Sequence, residues 1–509
     1  MRCTVMNEMI DTAAAGVPLL SILILSLPVG AMLIWLLPDA GKARWVALVV
    51  AGIDLLVALW VVVGFDAVQE GFQFVERGDW IPSLNIHYML GVDGISVLFL
   101  PLTVLLFLGV IAASWTSVRS LQRLYYTLIL LLESATLGVF CALDTVLFFL
   151  FWELTLVPLY FLVSNWGVGP NRRYAAVKYT LFMLAGGVPL LFGFIALAFA
   201  HAQATGVPVP AGLGFDFTQL LQTPIPLETQ VVVFFLLFLG FAVKTPVVPL
   251  HTWLPVIAME GPAVVAALMT GLKLGAYGLI RFVVPLAPAA AQEYHWLLAG
   301  LGVLGVLYGG LAAMAQTNLR RMLAFSSISH VGLVLLGLAS FNLQGIQGAL
   351  FQVLNFTVVA GGLFLLTGFL HHRIGSTETL SLGGVAETMP LLAAFFFLFG
   401  MASMGVPGTN GFPAEFLILI SALQTHTGAG MAALFGVVIG AAYFLGLFRR
   451  TFYGSVTSSV VADAVDLRQR ELAVIVVLAV LILAIGLFPQ LILDYIGVAT
   501  QGWMSRLNG

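Results

Sequence analysis

Charge is scarce in this chain. Of its 509 residues only 8% are Asp, Glu, Lys or Arg, while 61% are hydrophobic and 38 are Phe. No soluble domain is made from such a composition, which belongs to a polytopic membrane protein. Cysteine is nearly missing as well. Cys3 and Cys141 exclude a disulfide framework and are too few for an iron–sulfur cluster, which usually takes four thiolates. The net charge of -3, with no basic block, gives no sign of nucleic acid as a partner. No glycine-rich turn between a strand and a helix offers a nucleotide site. The chain alone is therefore expected to carry no cofactor and no covalent or redox chemistry. A secretory leader is also not expected, because the basic start and cleavage site are lacking and the run Val17 to Leu37 is long enough to remain as a span.

What is present is a series of apolar runs. The fold expected is an all-α polytopic membrane protein with 14 spans, beginning near Val17, Trp45, Ser96, Leu124, Thr145, Tyr174, Gln230, Ala263, His295, Met322, Ile346, Leu391, Gly428 and Glu471. Loops after the odd-numbered spans hold fourteen of the 20 basic residues, from Lys42 and Arg44 to Arg468 and Arg470. Arg2, Arg77, Arg281 and Arg506 fall on the other face. By the positive-inside rule both termini then lie outside, in the periplasm of a bacterium. The loop Asp66 to Tyr88 reads as a polar surface cap, and His201 to Glu228 as a solvated connector.

Lys244 and Lys273 remain within spans, where a lysine costs at least about 2.5–3.5 kcal/mol at the bilayer centre. Two segments also break their own helices. FAVKTPVVPLHTWLP, Phe241 to Pro255, has three prolines, and SMGVPGTNGFPAEF, Ser403 to Phe416, combines glycines with two prolines. Broken helices survive in a membrane where backbone lines an enclosed or watered cavity. Their pairing in two halves points to inverted repeats and a midplane ion path. The halves expected are residues 124–286 and 287–453, each of five spans, preceded by three spans in 1–123 and followed by a last helix and tail in 454–509. Glu133 and Asp54 also sit within spans but match no motif, while Asp144 and Asp93 near span ends are read as interfacially solvated.

Several long stretches are familiar. YMLGVDGISVLFLPLT (Tyr88 to Thr103), GVFCALDTVLFFLFWELTLVPLYFL (Gly138 to Leu162), LKLGAYGLIRF (Leu272 to Phe282), TNLRRMLAFSSISHVG (Thr317 to Gly332) and GVPGTNGFPAEFLIL (Gly405 to Leu419) resemble the antiporter-like subunits of respiratory complex I. FWELTLVPLYF is most similar to the M-type branch of proton-translocating NADH-quinone oxidoreductases, subunit 4 in mitochondria. The resemblance implies a proton path of Glu153 and Lys244 as an input pair, Lys273 at the centre, His330 as a relay and Glu415 toward the exit. It also implies sister membrane subunits, with NADH, FMN, iron–sulfur clusters and quinone held by partners, and a bacterial inner membrane. His251 and Asn355 are further candidates, His251 for lining water or capping broken backbone and Asn355 for organising water.

The plainer reading of each residue stays open: buried pairs also fix packing, and a histidine in a span is often an interhelical hydrogen-bond donor. Two departures from the family pattern stand out. After WLP the usual Asp and His are absent and Glu260 and Pro262 remain; where the eleventh span commonly has a histidine there is Phe356. Either water organised by Asn355, Gln352 and Thr357 keeps the path with different stepping stones, or the link between centre and exit is weakened, which would suit a specialised complex. The second reading of the chain is a homologous subunit of another ion-coupled complex: a multi-subunit cation/proton antiporter, a membrane-bound hydrogenase or an inorganic-carbon uptake complex.

Overall fold

A computed structural model describes residues 16–456 and 458–508; Arg2 and Cys3 lie outside the described residues. Among the described residues twelve helices are long and apolar enough to cross a bilayer, and Phe99–Ala113, Pro390–Ser403 and Gly411–Thr425 are shorter apolar helices. Taking the last two as halves of one broken span, these elements match the 14 expected spans. Local chemistry starts several of them. Asp144 accepts from the backbone of Val146 and Leu147, Asn318 from Arg320, and Asn342 from Gly345, each satisfying orphan N–H groups at a helix start.

The spans differ in what surrounds them. Leu19–Leu36, Ala43–Gly64 and Gln469–Leu487 turn much of their surface outward, whereas Ala263–Leu286, Leu319–Ala339 and Leu343–Ile374 are almost wholly enclosed by protein. The three enclosed spans carry Lys273, His330 and Phe356. Close backbone approach makes this enclosure possible. His295–Met314 lies against Leu319–Ala339, where a Cβ on Gly309 would come 2.6 Å from the Ser329 nitrogen. Small residues at such crossings are the usual means of packing helices in lipid.

Both long loops are more ordered than their polarity suggests. Within the first, Gln73–Ile81 pairs antiparallel with Ile86–Val92. Aromatic and β-branched residues in this stretch favour strand, and Asn85 takes the left-handed conformation at the turn. The second loop is tied to the hairpin by Asn85 Nδ2 donating to the Leu213 carbonyl, and Ile86, Leu213 and Phe215 share a small apolar cluster. It is thus a packed cover rather than a solvated connector. The C-terminal tail forms a further helix, Gln490–Asn508, pinned by Trp503 Nε1 to the Ile280 carbonyl at 2.9 Å.

Candidate functional site

The helix Leu227–Lys244 stops at Lys244 and the chain resumes as helix at Trp253–Glu260. Pro246 and Pro249 withhold backbone donors here, and a cation in the last turn of the first half-helix meets its partial negative end. Lys244 Nζ donates to Thr155 Oγ1 at 2.8 Å and to the Trp152 carbonyl at 3.2 Å, and lies 3.9 Å from the centre of the Trp152 ring. These contacts flank Glu153 without including it. No direct ion pair joins Glu153 to Lys244. Instead the carboxylate faces Gly187, where a Cβ would come 2.4 Å from Oε1. The expected input pair is therefore two groups on different helices that act on each other electrostatically without touching, because Trp152 and Thr155 take the ammonium first. Tyr179, which the motifs did not single out, lies in electrostatic reach of Glu153. Tyr179 and Lys244 line a cavity of about 40 Å³ that also touches Leu272 and Leu274. Some 10–15 Å³ suffices for one water, so the space between Lys244 and the neighbours of Lys273 can be wet.

A third break lies at Lys273 itself. Helix Ala263–Gly271 ends, Leu272 and Lys273 leave helical geometry, and helix resumes at Leu274. No proline marks it. The nearest signal is the pair of glycines around LKL: a Cβ on Gly275 would come 2.3 Å from Thr245 Oγ1, so the first and third breaks touch. The Gly271 carbonyl accepts from Thr357 Oγ1 at 3.2 Å. Lys273 Nζ is buried with no hydrogen-bond partner among the described residues, and sits 5.0 Å from the Phe356 ring centre. Phe356 opens a π-helical turn, Phe356–Ala360, and its ring is 6.3 Å from that of His330. One phenyl ring stands between the two ionisable groups.

Beyond it, the break between Pro390–Ser403 and Gly411–Thr425 supplies acceptors. The Ser403 carbonyl accepts from His330 Nε2 at 2.8 Å, and the Ser326 carbonyl lies 2.7 Å from Nδ1. A neutral imidazole donates from one nitrogen only, so two carbonyl acceptors suit the doubly protonated ring. Glu415 Oε1 is 3.4 Å from His330 Nε2. Gly405 has φ +64°, and a Cβ there would meet Glu415 Oε2 at 2.3 Å. A glycine is needed at that turn on both counts. Ser327, His330, Gln352, Asn355 and Phe356 line a second cavity, of about 30 Å³. Asn355 is fixed on its wall by reciprocal bonds: its Nδ2 donates to the Asn410 carbonyl at 2.8 Å and its Oδ1 accepts from Asn410 Nδ2 at 2.9 Å.

Other expectations meet different surroundings. His251 packs edge-on against Tyr308 at 5.0 Å and interacts with the Pro249 backbone at the break. The Glu260 carboxylate accepts from the Asn171 nitrogen at 2.7 Å and closes a loop. Asp93 and Asp144 are buried rather than solvated. Asp93 grips Arg281 with both oxygens, while Asp144 accepts from the His87 nitrogen as well as capping its helix. Arg281, counted from sequence on the outer face, is thus enclosed near that end.

The pattern of the family described as "NADH:quinone oxidoreductase/Mrp antiporter, TM" matches residues 142–440, which contain every residue of this row. The chain belongs to that family. Among members of the NADH:quinone oxidoreductase/Mrp antiporter family, the NADH-quinone oxidoreductase subunit M of Rhodobacter capsulatus is 37% identical over 465 residues, covering 90% of this chain and 89% of that one. A chain of the respiratory complex I of Thermus thermophilus with bound NADH superposes with a TM-score of 0.87 at 30% identity, over 96% of this chain and all of that one. The Mrp complex from Dietzia sp. has a chain of the same fold, with a TM-score of 0.78 at 24% identity and 96% of this chain covered. The matched stretch includes the three helix breaks at Lys244, Lys273 and Ser403 to Gly411.

Proposed function

We propose that this chain is the M-type, proton-translocating subunit of a quinone-reducing membrane complex, passing protons along Glu153, Lys244, Lys273, His330 and Glu415. One observation carries the reading. Each of three breaks in the helices sets an ionisable side chain in the protein interior, with a water-sized cavity between Lys244 and the neighbours of Lys273 and the Phe356 ring between Lys273 and His330. Lys244 held beside Glu153, without touching it, can keep or release its proton with a small shift of either group. The row acts as a coupled unit rather than as separate acids and bases.

Residues 124–286 and 287–453 are the two inverted halves. Arg172–Thr205 packs on Leu227–Lys244 in the first as Leu343–Asn355 packs on Gly411–Thr425 in the second. The complex sits in a bacterial inner membrane with both termini of this subunit on the periplasmic side, while NADH, FMN, iron–sulfur clusters and quinone are held by partner subunits. The test is proton uptake per quinone reduced in vesicles containing the purified complex. Lys244→Ala and Glu415→Ala are expected to leave the complex assembled and to bring pumping close to the leak rate. Full pumping by both assembled variants sinks the proposed row.

A further inference from the structure

The row above leaves two of the most deeply buried carboxylates unused. Asp54 and Glu133 are both 0% exposed, on Ala43–Gly64 and Gln122–Cys141, helices that pack together. Asp54 Oδ1 accepts from Ser26 Oγ at 2.8 Å, and among the described residues its Oδ2 and both oxygens of Glu133 have no hydrogen-bond partner. The two carboxylates act on each other electrostatically, and no cation forms an ion pair with either among the described residues. Two anions in such a place would each carry the several kcal/mol of desolvation that a buried charge costs, with repulsion added.

Polar groups also lie toward the hairpin. Ser26 and Ser21 are five residues apart on Leu19–Leu36, roughly 7.5 Å along the helix and about 140° around it, so transfer between them needs intervening water. Between them, the Ile24 carbonyl accepts from Ser134 Oγ at 2.7 Å, which fixes the neighbouring Glu133 at the same depth. Ser21 Oγ donates to Glu76 Oε2 at 2.5 Å and lies 2.8 Å from the Tyr88 hydroxyl. The thiol of Cys141 is in electrostatic reach of both Glu76 and Asp54.

We propose that Asp54 and Glu133 are an internal proton-binding site, holding at least one proton between them and exchanging it with the hairpin face by way of Ser26, Ser21, Tyr88 and Glu76. The site stands apart from the row of Glu153 to Glu415 and does not depend on that reading. Sodium is the less suitable occupant, since among the described residues Ser26 supplies the one neutral oxygen hydrogen-bonded to the pair.

The experiment is infrared spectroscopy of the purified complex at neutral pH, comparing wild type with D54N, E133Q and the double variant. The wild type is expected to show a protonated-carboxyl carbonyl band that the double variant lacks, unchanged by sodium and shifted in heavy water. An assembled double variant with the same band overturns the site, and so does a band that sodium removes. In S21A/Y88F, which keeps both carboxylates, hydrogen–deuterium exchange of the band is expected to slow several-fold. Exchange at the wild-type rate overturns the route.

Discussion

Phe356 is the residue on which the row turns. Its ring faces Lys273 on one side and His330 on the other, and a desolvated contact between an ammonium and a ring is worth roughly 2 kcal/mol. The phenyl group thus steadies a charged Lys273 while offering no site for a proton. Phe356→His is expected to preserve pumping, because imidazole both donates and accepts at that position. Phe356→Trp is expected to lower it, since the larger ring enters the 30 Å³ cavity beside His330. Proton uptake per quinone reduced distinguishes the two; equal values for both variants would remove Phe356 from the path. That an apolar group occupies this position is legible in FQVLNFTVVAGG. What it touches is not, because Lys273 reaches it from a span more than eighty residues away.

At the scale of elements, the breaks place the chemistry. The two that contain proline could be read directly, since each proline removes a donor that hydrocarbon cannot replace. The break at Lys273 could not, because no proline marks it and the contact it makes, Gly275 against Thr245, joins segments thirty residues apart. The hairpin was missed for a related reason: its short alternation lies in a polar loop, and its outer strand is held by cross-strand pairing rather than by burial. Gly405→Ala tests how far a turn sets a site. An L-residue in the left-handed region costs about 1–2 kcal/mol, and the added Cβ would displace Glu415 from His330. The expected outcome is an assembled complex of lower thermal stability with reduced pumping. Unchanged pumping would show that the Glu415 position tolerates movement.

For the whole molecule, distribution of charge was more legible than depth. The excess of Lys and Arg in alternate loops implies an orientation, whereas burial of Arg281, Asp93 and Asp144 depends on the hairpin and second loop folding over the bundle. Orientation is open to labelling. With Cys3 and Cys141 replaced, Val68→Cys on the hairpin side and Leu380→Cys on the opposite loop give exposed thiols. An impermeant reagent applied to intact cells is expected to label the first and spare the second; the reverse pattern would invert the proposed topology. Lys273 is enclosed at the middle of the row, and among the described residues its ammonium meets a ring and no hydrogen-bond partner. The most direct measurement is the proton-to-electron ratio of the purified, fully assembled complex in sealed vesicles after Lys273→Ala. The account predicts that quinone reduction continues in the presence of an uncoupler while the ratio falls. An unchanged ratio would contradict it.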